Sequence, residues 1–562
     1  MTTRSRLSGR DTRYPDPSGW NPLSLALLAG VWVAALPNWP LWRALAALPE
    51  MATPRGLAFG IGFAVMIMAL TTALLAAAAW RWSIKPAITL FIVAAALGAH
   101  FMGSYGVVID STMMINVLQT DPREVRDLLN GQLALSLLLL AVLPLLVVWR
   151  ARVQRLRMVA KLGRNLLGMG VALLVLLALL YALFADLSAT MREHTSMRYL
   201  INPLNSFYAL ADLAVQSQAR PSGPPQPIGL DARVTPLAPG SRPPLLMLMV
   251  GETARADHFS LNGYARPTNP ELTRLGVASF GNVSACGTNT AASLPCMFSH
   301  LGKAGFEGRD HDFENLLDLV QRSGMAVLWL DNQAGCKGLC ARVANAYANT
   351  PAPSAAPLPA GLCADGECLD EALLLGLDDR LAALPAERRA RGVLLVMHQM
   401  GSHGPAYYKR SPPERKPFQP ECQTNALQQC DRQALVNAYD NSIAYTDHML
   451  SQGVQWLKRR AVDYDPALLY LSDHGESLGE NNIYLHGLPY AVAPREQKQV
   501  PMVWWQPTPE ATPTRPASAC LAPRLGSPLT HDNLFHTVLG VLGVQATEYR
   551  PALDAFAACR GQ

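Results

Sequence analysis

Five long apolar runs fill the first third of the chain, at approximately 23–45, 58–80, 87–108, 132–149 and 166–186, and no comparable run follows Asp186. Each approaches the roughly 20 residues that a helix needs to cross the hydrocarbon core of a bilayer. A water-soluble domain rarely buries five such helices packed into so short a stretch, so this segment is expected to cross a membrane five times. The 50% hydrophobic content of the 562-residue chain has the same origin.

Basic residues give the orientation. Arg4, Arg6, Arg10 and Arg13 precede the first run, Arg81 and Lys85 follow the second, and Arg150, Arg152, Arg155, Arg157, Lys161 and Arg164 follow the fourth. Such segments stay in the cytoplasm, which leaves the chain beyond Asp186 on the outer side. The cysteines agree, because all ten lie at or after Cys286, a distribution suited to an oxidising compartment. Their spacing suggests the pairs Cys286 with Cys296, Cys336 with Cys340, Cys363 with Cys368 and Cys422 with Cys430, leaving Cys520 for Cys559. A zinc site at Cys336 and Cys340 would lack its second ligand pair. The net charge of +5 comes with no basic stripe interleaved with aromatics, so no nucleic-acid partner is expected. The first run lacks a small-residue cleavage site and should remain as an anchor.

Three regions follow: a transmembrane domain over 1–190, a bridging helix and Pro-rich linker over 191–243, and a soluble catalytic domain over 244–562. In the last, the apolar runs Leu245 to Val250, Ala326 to Leu330, Val393 to His398, Ala467 to Leu471 and Val500 to Trp505 alternate with helical patterns. That alternation predicts an α/β domain with a mostly parallel sheet. The Pro-rich stretches 349–360 and 507–528 read as irregular surface segments.

Three polar islands carry the chemistry: Gly251-Glu-Thr-Ala-Arg255, Cys286-Gly-Thr-Asn-Thr290 and Ser472-Asp-His-Gly-Glu476. The first and third follow strand-like runs, at the carboxyl ends where open α/β sheets place their sites. Glu252, Asp473 and His474 offer the mixed oxygen and nitrogen donors that suit zinc. A bound metal depresses the pKa of a hydroxyl nucleophile, and together these features point to phosphoryl transfer. Thr290 is the favoured hydroxyl because it stands at a predicted helix start, where developing negative charge is stabilised. Thr288 and Ser293 are alternatives, and Thr290 as a plain N-cap is the structural reading. His398, His403 and His486 are candidates for protonating a leaving alkoxide, holding phosphate oxygens or binding a second metal. Lys337, in a Gly- and Cys-rich loop, is a candidate phosphate contact.

With the Met114-Ile-Asn-Val-Leu-Gln-Thr120 loop and Cys336-Lys-Gly-Leu-Cys340, these ordered motifs resemble the membrane-anchored phosphoethanolamine transferases of Gram-negative bacteria, of the polymyxin-resistance type that modifies lipid A. The resemblance implies an alkaline-phosphatase/sulfatase-like periplasmic domain on an inner-membrane anchor of five helices. It implies zinc on Glu252, Thr290, Asp473 and His474, with Thr290 carrying phosphoethanolamine. It also implies substrate or second-zinc roles for His403 and His486, supporting substrate contacts from His398 and Lys337, and presentation of the donor lipid near Asn116 and Thr120. Phosphatidylethanolamine is the implied donor, a lipid A phosphate the implied acceptor, and a monomer is expected. A lipopolysaccharide core sugar or a periplasmic glucan is the alternative acceptor; a hydrolase and an inactive lipid sensor are the other readings. One departure is Gln333, four residues before Lys337, where some members carry Asn.

Overall fold

The computed structural model describes residues 19–561 apart from 121, 155–156, 220–222, 353–357, 360 and 365. Arg4, Arg6, Arg10, Arg13 and Arg155 of the basic segments, and parts of the 191–243 linker and the 349–360 stretch, lie outside the described residues. The chain forms two compact units, Met1–Ser104 with Gly131–Leu210, and Tyr105–Asn130 with Ala211–Gln562.

In the first unit, α1 (Pro22–Ala35) and α2 (Trp39–Ala46) meet at a 45° bend, followed by α3 (Pro54–Ala77) and α4 (Ile84–Tyr105). The next helix, α5 (Ser111–Gln119), belongs to the second unit, after which α6 (Gly131–Arg150) and α7 (Met158–Ala182) complete the apolar set. Among the described residues four of these helices are long and apolar enough to span a bilayer singly, and the count is five when the bent α1–α2 pair is taken as one span. Protein covers 50% of the apolar window of α3 but 11% of those of α6 and α7. Leu135, Leu146, Leu166 and Leu174 consequently point outward, a surface that lipid stabilises and water does not. The chain is therefore a membrane-anchored protein with a large soluble C-terminal domain.

The break between α1 and α2 leaves backbone carbonyls without helical partners, which is costly in hydrocarbon. Two asparagines satisfy them. Asn38 Nδ2 donates to Val33 O at 2.8 Å and Asn202 O at 2.6 Å, while Asn202 N donates to Asn38 Oδ1 at 2.9 Å. Asn202 Nδ2 donates to Pro37 O at 3.0 Å and Ala95 O at 2.6 Å. The 191–213 segment is helical, with Thr195–Leu200 and Leu204–Ala219 following Phe184–Glu193.

The second unit is built on an eight-stranded sheet. Its strands are β1 (Pro244–Gly251), β2 (Ala278–Ser284), β3 (Ala326–Asp331), β4 (Ala344–Tyr347), β5 (Val393–His398), β6 (Asp465–Ser472), β7 (Gln499–Trp505) and β8 (Leu529–Thr530), in the spatial order β8-β2-β7-β6-β1-β5-β3-β4. All pairings are parallel except those of β7 with β2 and β6, so the mostly parallel sheet is observed. Alternation explains the core: Leu245, Met247 and Met249 of β1 enter one cluster, and Leu246, Leu248 and Val250 the other. Both faces are buried, as parallel strands require, each such side chain contributing roughly 1.5–3 kcal/mol. The first face packs under α9 (Arg432–Arg460) and the second under α10 (Asp532–Leu542). Five disulfides join Cys286 to Cys296, Cys336 to Cys340, Cys363 to Cys368, Cys422 to Cys430 and Cys520 to Cys559.

The 105–130 segment is tied into this unit. Asp110 caps α5 through Met113 N at 2.8 Å, and Ser111 Oγ donates to Asp212 at 2.6 Å. Buried Asp127 pairs with Lys409 at 2.5 Å and Arg410 at 3.5 Å, and Asn425 Nδ2 donates to its carbonyl at 2.6 Å. Two spans, α6 and α7, separate this segment from the rest of its unit, so the two stretches lie on the same side of the membrane.

Replacing Asn38 by Leu removes three of the five hydrogen bonds that the Asn38–Asn202 pair makes. The expected result is a destabilisation of about 1–3 kcal/mol, read as a lower thermal midpoint of the detergent-solubilised protein; an unchanged midpoint would show that the asparagine pair contributes nothing.

Candidate active site

Register brings the site together. Gly251 of β1 sits opposite Ser472 of β6, Val250 opposite His398 of β5, and Asp331 of β3 opposite His398. Glu252, Asp473, His474, His398 and Asp331 therefore converge at one carboxyl edge of the sheet, all buried. Ligand atoms of Glu252, Asp473 and His474 lie within 4.8 Å of one another. His474 Nε2 is 3.3 Å from Glu252 Oε1 and 3.5 Å from Asp473 Oδ2. The Nδ1–H of His474 donates to Gly475 O at 2.9 Å, which fixes the tautomer that leaves the Nε2 lone pair available to a metal. Asp473 Oδ1 accepts from His474 N at 2.7 Å and Thr253 N at 3.3 Å, whereas its Oδ2 is buried without a hydrogen-bond partner. An orphaned carboxylate oxygen facing another carboxylate and an imidazole is what a divalent cation satisfies.

The helix α8 (Thr290–Met297) brings the hydroxyl. Asn289 is its N-cap, accepting from Ala292 N at 2.9 Å, so the capping role falls on Asn289 and Thr290 is released from it. Thr290 Oγ1 lies 3.1 and 3.3 Å from the two Glu252 oxygens and 3.4 Å from His474 Nε2. The alternatives are engaged elsewhere: Thr288 Oγ1 donates to Leu488 O at 2.6 Å, and Ser293 Oγ donates to Asp473 O.

Charge in this pocket is strongly perturbed. Burial alone would raise the Glu252 carboxyl, but the hydrogen bond and charge of His474, with His403 and His398 behind it, hold it below the ordinary range. Burial and the nearby Glu252 push Asp473 up to about 6. Burial opposes the charged form of His474, yet Asp473 and Glu252 lift it to about 10. Two carboxylates this close cannot both stay ionised in a dry site without a positive charge between them.

His398, expected among the substrate contacts, is instead fully buried behind Glu252. Its Nδ1 is 3.1 Å from Asp331 and its Nε2 is 3.9 Å from Glu252, so it steadies a ligand from the rear. His403 and His486 do join the site edge, with rings 5.6 Å apart and the His486 ring 4.4 Å from that of His474. His486 Nδ1 is 3.3 Å from Glu476, whose carboxyl burial pushes up to about 8. Lys337 adopts a left-handed backbone, φ +48°, with its Nζ 3.4 Å from Gln119 O and 3.5 Å from Ala334 O. Thr120 turns its hydroxyl back to Asn116 O at 2.7 Å. On the same segment, the side chain of Met113 fills the space beside Gly487, next to His486.

Several supports were given no site role by the sequence. Gln333 Nε2 donates to Glu252 Oε2 at 3.2 Å, so the Asn-to-Gln departure reaches a metal-ligand candidate directly. Asp370 accepts from Met400 N at 2.8 Å, Gly401 N at 2.9 Å and Asn332 Nδ2 at 2.8 Å, cradling the turn before His403. Gly401 is needed there because its φ is +53° and a Cβ would lie 2.7 Å from Glu252 O. Arg410 donates to His403 O at 2.8 Å and pairs with Glu367 at 2.8 Å.

A family model described as phosphoethanolamine transferase EptA/EptB matches residues 67–218, and one described as sulfatase matches residues 244–544. The chain is 38% identical over 550 residues to the phosphoethanolamine transferase EptA of Escherichia coli, spanning 96% of this chain and 97% of that protein. It is 37% identical over 538 residues to the phosphatidylethanolamine transferase Mcr-1 of Escherichia coli, spanning 94% and 96%. Among solved structures it matches the integral membrane lipooligosaccharide phosphoethanolamine transferase A of Neisseria meningitidis with a TM-score of 0.87 and 31% identity, over 96% of this chain and 99% of that one. Apolar spans, a sulfatase-like sheet and similarity along almost the whole length together show that the chain belongs to the membrane-anchored phosphoethanolamine transferase family.

Proposed function

We propose that this chain transfers phosphoethanolamine from phosphatidylethanolamine to a phosphate of lipid A, with Thr290 as the covalent carrier. One observation carries the reading: the Thr290 hydroxyl lies 3.1 Å from Glu252 and 3.4 Å from His474, while the hydroxyls of Thr288 and Ser293 are spent on carbonyls. The names of the relatives, which include a phosphatidylethanolamine transferase and a lipooligosaccharide phosphoethanolamine transferase, support donor and acceptor. Glu252, Asp473 and His474 would hold zinc, with Thr290 as the fourth ligand, and the bound ion would supply a Lewis acid that lowers the pKa of the hydroxyl.

Thr290 Oγ1 attacks the phosphorus of the donor phosphodiester, the bond from phosphorus to the diacylglycerol oxygen breaks, and that oxygen takes a proton from His403 or His486. In the second half-reaction a lipid A phosphate oxygen attacks the same phosphorus and the Thr290 oxygen leaves. Lys337 contacts the phosphate, and Asn116 and Thr120 lie on the segment that receives the donor head group. His403 and His486 also remain the candidates for a second zinc. The 1–190 anchor and the 191–243 bridge hold the 244–562 catalytic region on the periplasmic face of the inner membrane, where both lipids lie and tethering raises their effective concentration. Each transfer adds an ammonium group to an anionic lipid, weakening its attraction for polymyxin and other cationic peptides.

Mass spectrometry of lipid A from Gram-negative cells expressing the wild type or Thr290→Ala tests this reading. Added phosphoethanolamine is expected in the wild type alone; addition in both would remove Thr290 as the carrier, and unmodified lipid A in both would move the acceptor to a core sugar or glucan. Zinc at 100 times its Kd should stabilise the metal-stripped protein by about 2.7 kcal/mol, seen as a higher melting temperature, and Asp473→Asn should abolish most of that gain. An equal gain in the variant would rule out the assigned ligand set.

A further inference from the structure

We propose that His531, at the entry to α10, is a positioning residue that locks the Thr290 turn against the strand end carrying Asp473 and His474. The inference rests on Thr290 being the attacking group. His531 is fully buried, and its ring bridges two other pieces of chain, the 286–293 segment and the end of β6. Its Nδ1 accepts from Cys286 N at 3.1 Å, just before the Thr290 turn. Its Nε2 is 2.9 Å from Ser472 O, one residue before Asp473. Ser293 Oγ, on α8, lies 3.3 Å from Nδ1 while donating to Asp473 O. The backbone N of His531 closes the set by donating to Ser284 O at 3.0 Å, at the end of β2.

These partners admit a single protonation pattern. An amide N–H can only donate, so Nδ1 carries the lone pair; a carbonyl can only accept, so Nε2 carries the proton. The imidazolium form would break the Cys286 contact, and burial pushes the His531 imidazole down to about 3, which keeps the ring neutral. Asp532 extends the grip, its carboxylate accepting from Lys303 N at 2.8 Å, while the Lys303 ammonium donates to Cys286 O. The two ends of the ring therefore set the spacing between the nucleophile turn and the Asp473–His474 pair. A rigid ring does this with less freedom than a flexible amide, and the spacing matters because a displacement of about 1 Å at a reacting group costs on the order of 100-fold in rate.

The test uses full-length, zinc-loaded protein and phosphatidylethanolamine in mixed micelles, reading the Thr290 adduct by intact-mass spectrometry together with kcat, KM and bound zinc. His531→Phe keeps the ring and removes both nitrogens. The expected result is adduct formation slowed about 100-fold, with KM for the donor and zinc content unchanged. His531→Gln, which can still donate to Ser472 O, and His531→Asn, which can still accept from Cys286 N, should each recover part of the lost rate. A folded His531→Phe protein with wild-type adduct formation overturns the proposal, as does a loss that follows zinc content in all three variants. Should His531→Phe fail to fold, His531→Gln and His531→Asn carry the test: a fall in kcat at constant KM and zinc content supports the clamp, and wild-type adduct formation in both folded variants overturns it. Thr290→Ala keeps the two ideas apart: an adduct persisting in that variant overturns the carrier assignment and the clamp with it, whereas an adduct lost in Thr290→Ala but formed at the wild-type rate in His531→Phe overturns the clamp alone.

Discussion

Two carboxylates in a dry pocket, Glu252 after β1 and Asp473 after β6, set the terms for everything around them. Adjacent parallel strands force their first post-strand residues to be neighbours, since Gly251 and Ser472 pair across the sheet. Like charges so placed repel strongly where water cannot screen them. The protein answers with His474 beside them, with the Asp331–His398 pair behind Glu252, and with the Thr290 hydroxyl donating to Glu252 at 3.1 Å. The same repulsion that would unsettle an apolar core is what a divalent cation placed between the two carboxylates would relieve.

Around that centre, several buried side chains hold backbone groups. Asp370 holds the Met400–Gly401 amides, Arg410 holds the His403 carbonyl, and His531 holds an amide on one side and a carbonyl on the other. Each fixes where the next reactive side chain starts instead of touching it. Their burial makes them intolerant of replacement, because an unpaired polar group left behind costs about 1–3 kcal/mol.

Much of this was legible in the sequence, and the reasons for the remainder are physical. The five strand-like runs were visible because strands buried on both faces are continuously apolar, as in Leu245 to Val250. β2 escaped notice because Ala278–Ser284 mixes Gly, Asn and Ser with alternating exposure, and β4 and β8 are short edge strands with little apolar content. Glu252, Asp473 and His474 were legible because strand ends announce themselves; Asp331, Asp370, Arg410 and His531 were not, because residues that act through a fold contact partners more than 20 positions away. His398 shows the converse limit. The family resemblance implied a supporting substrate contact for it, and strand register sets its ring inward, with Nε2 3.9 Å from Glu252.

The catalytic unit contains Tyr105–Asn130, a stretch synthesised before α6 and α7, as well as everything from Ala211 onward. Asp127 cannot meet Lys409 and Arg410 until both later spans have crossed the bilayer and the C-terminal domain has emerged on the same side. The second unit is therefore completed from two stretches of chain that the helices α6 and α7 separate in sequence. A chain threaded with one span missing would strand Asp127 across the membrane from its partners, leaving Arg410, whose guanidinium also holds the His403 carbonyl, short of one carboxylate. That one buried ion-pair cluster thus stitches a short stretch lying between two apolar helices into the sheet-bearing domain more than 280 positions further along the chain.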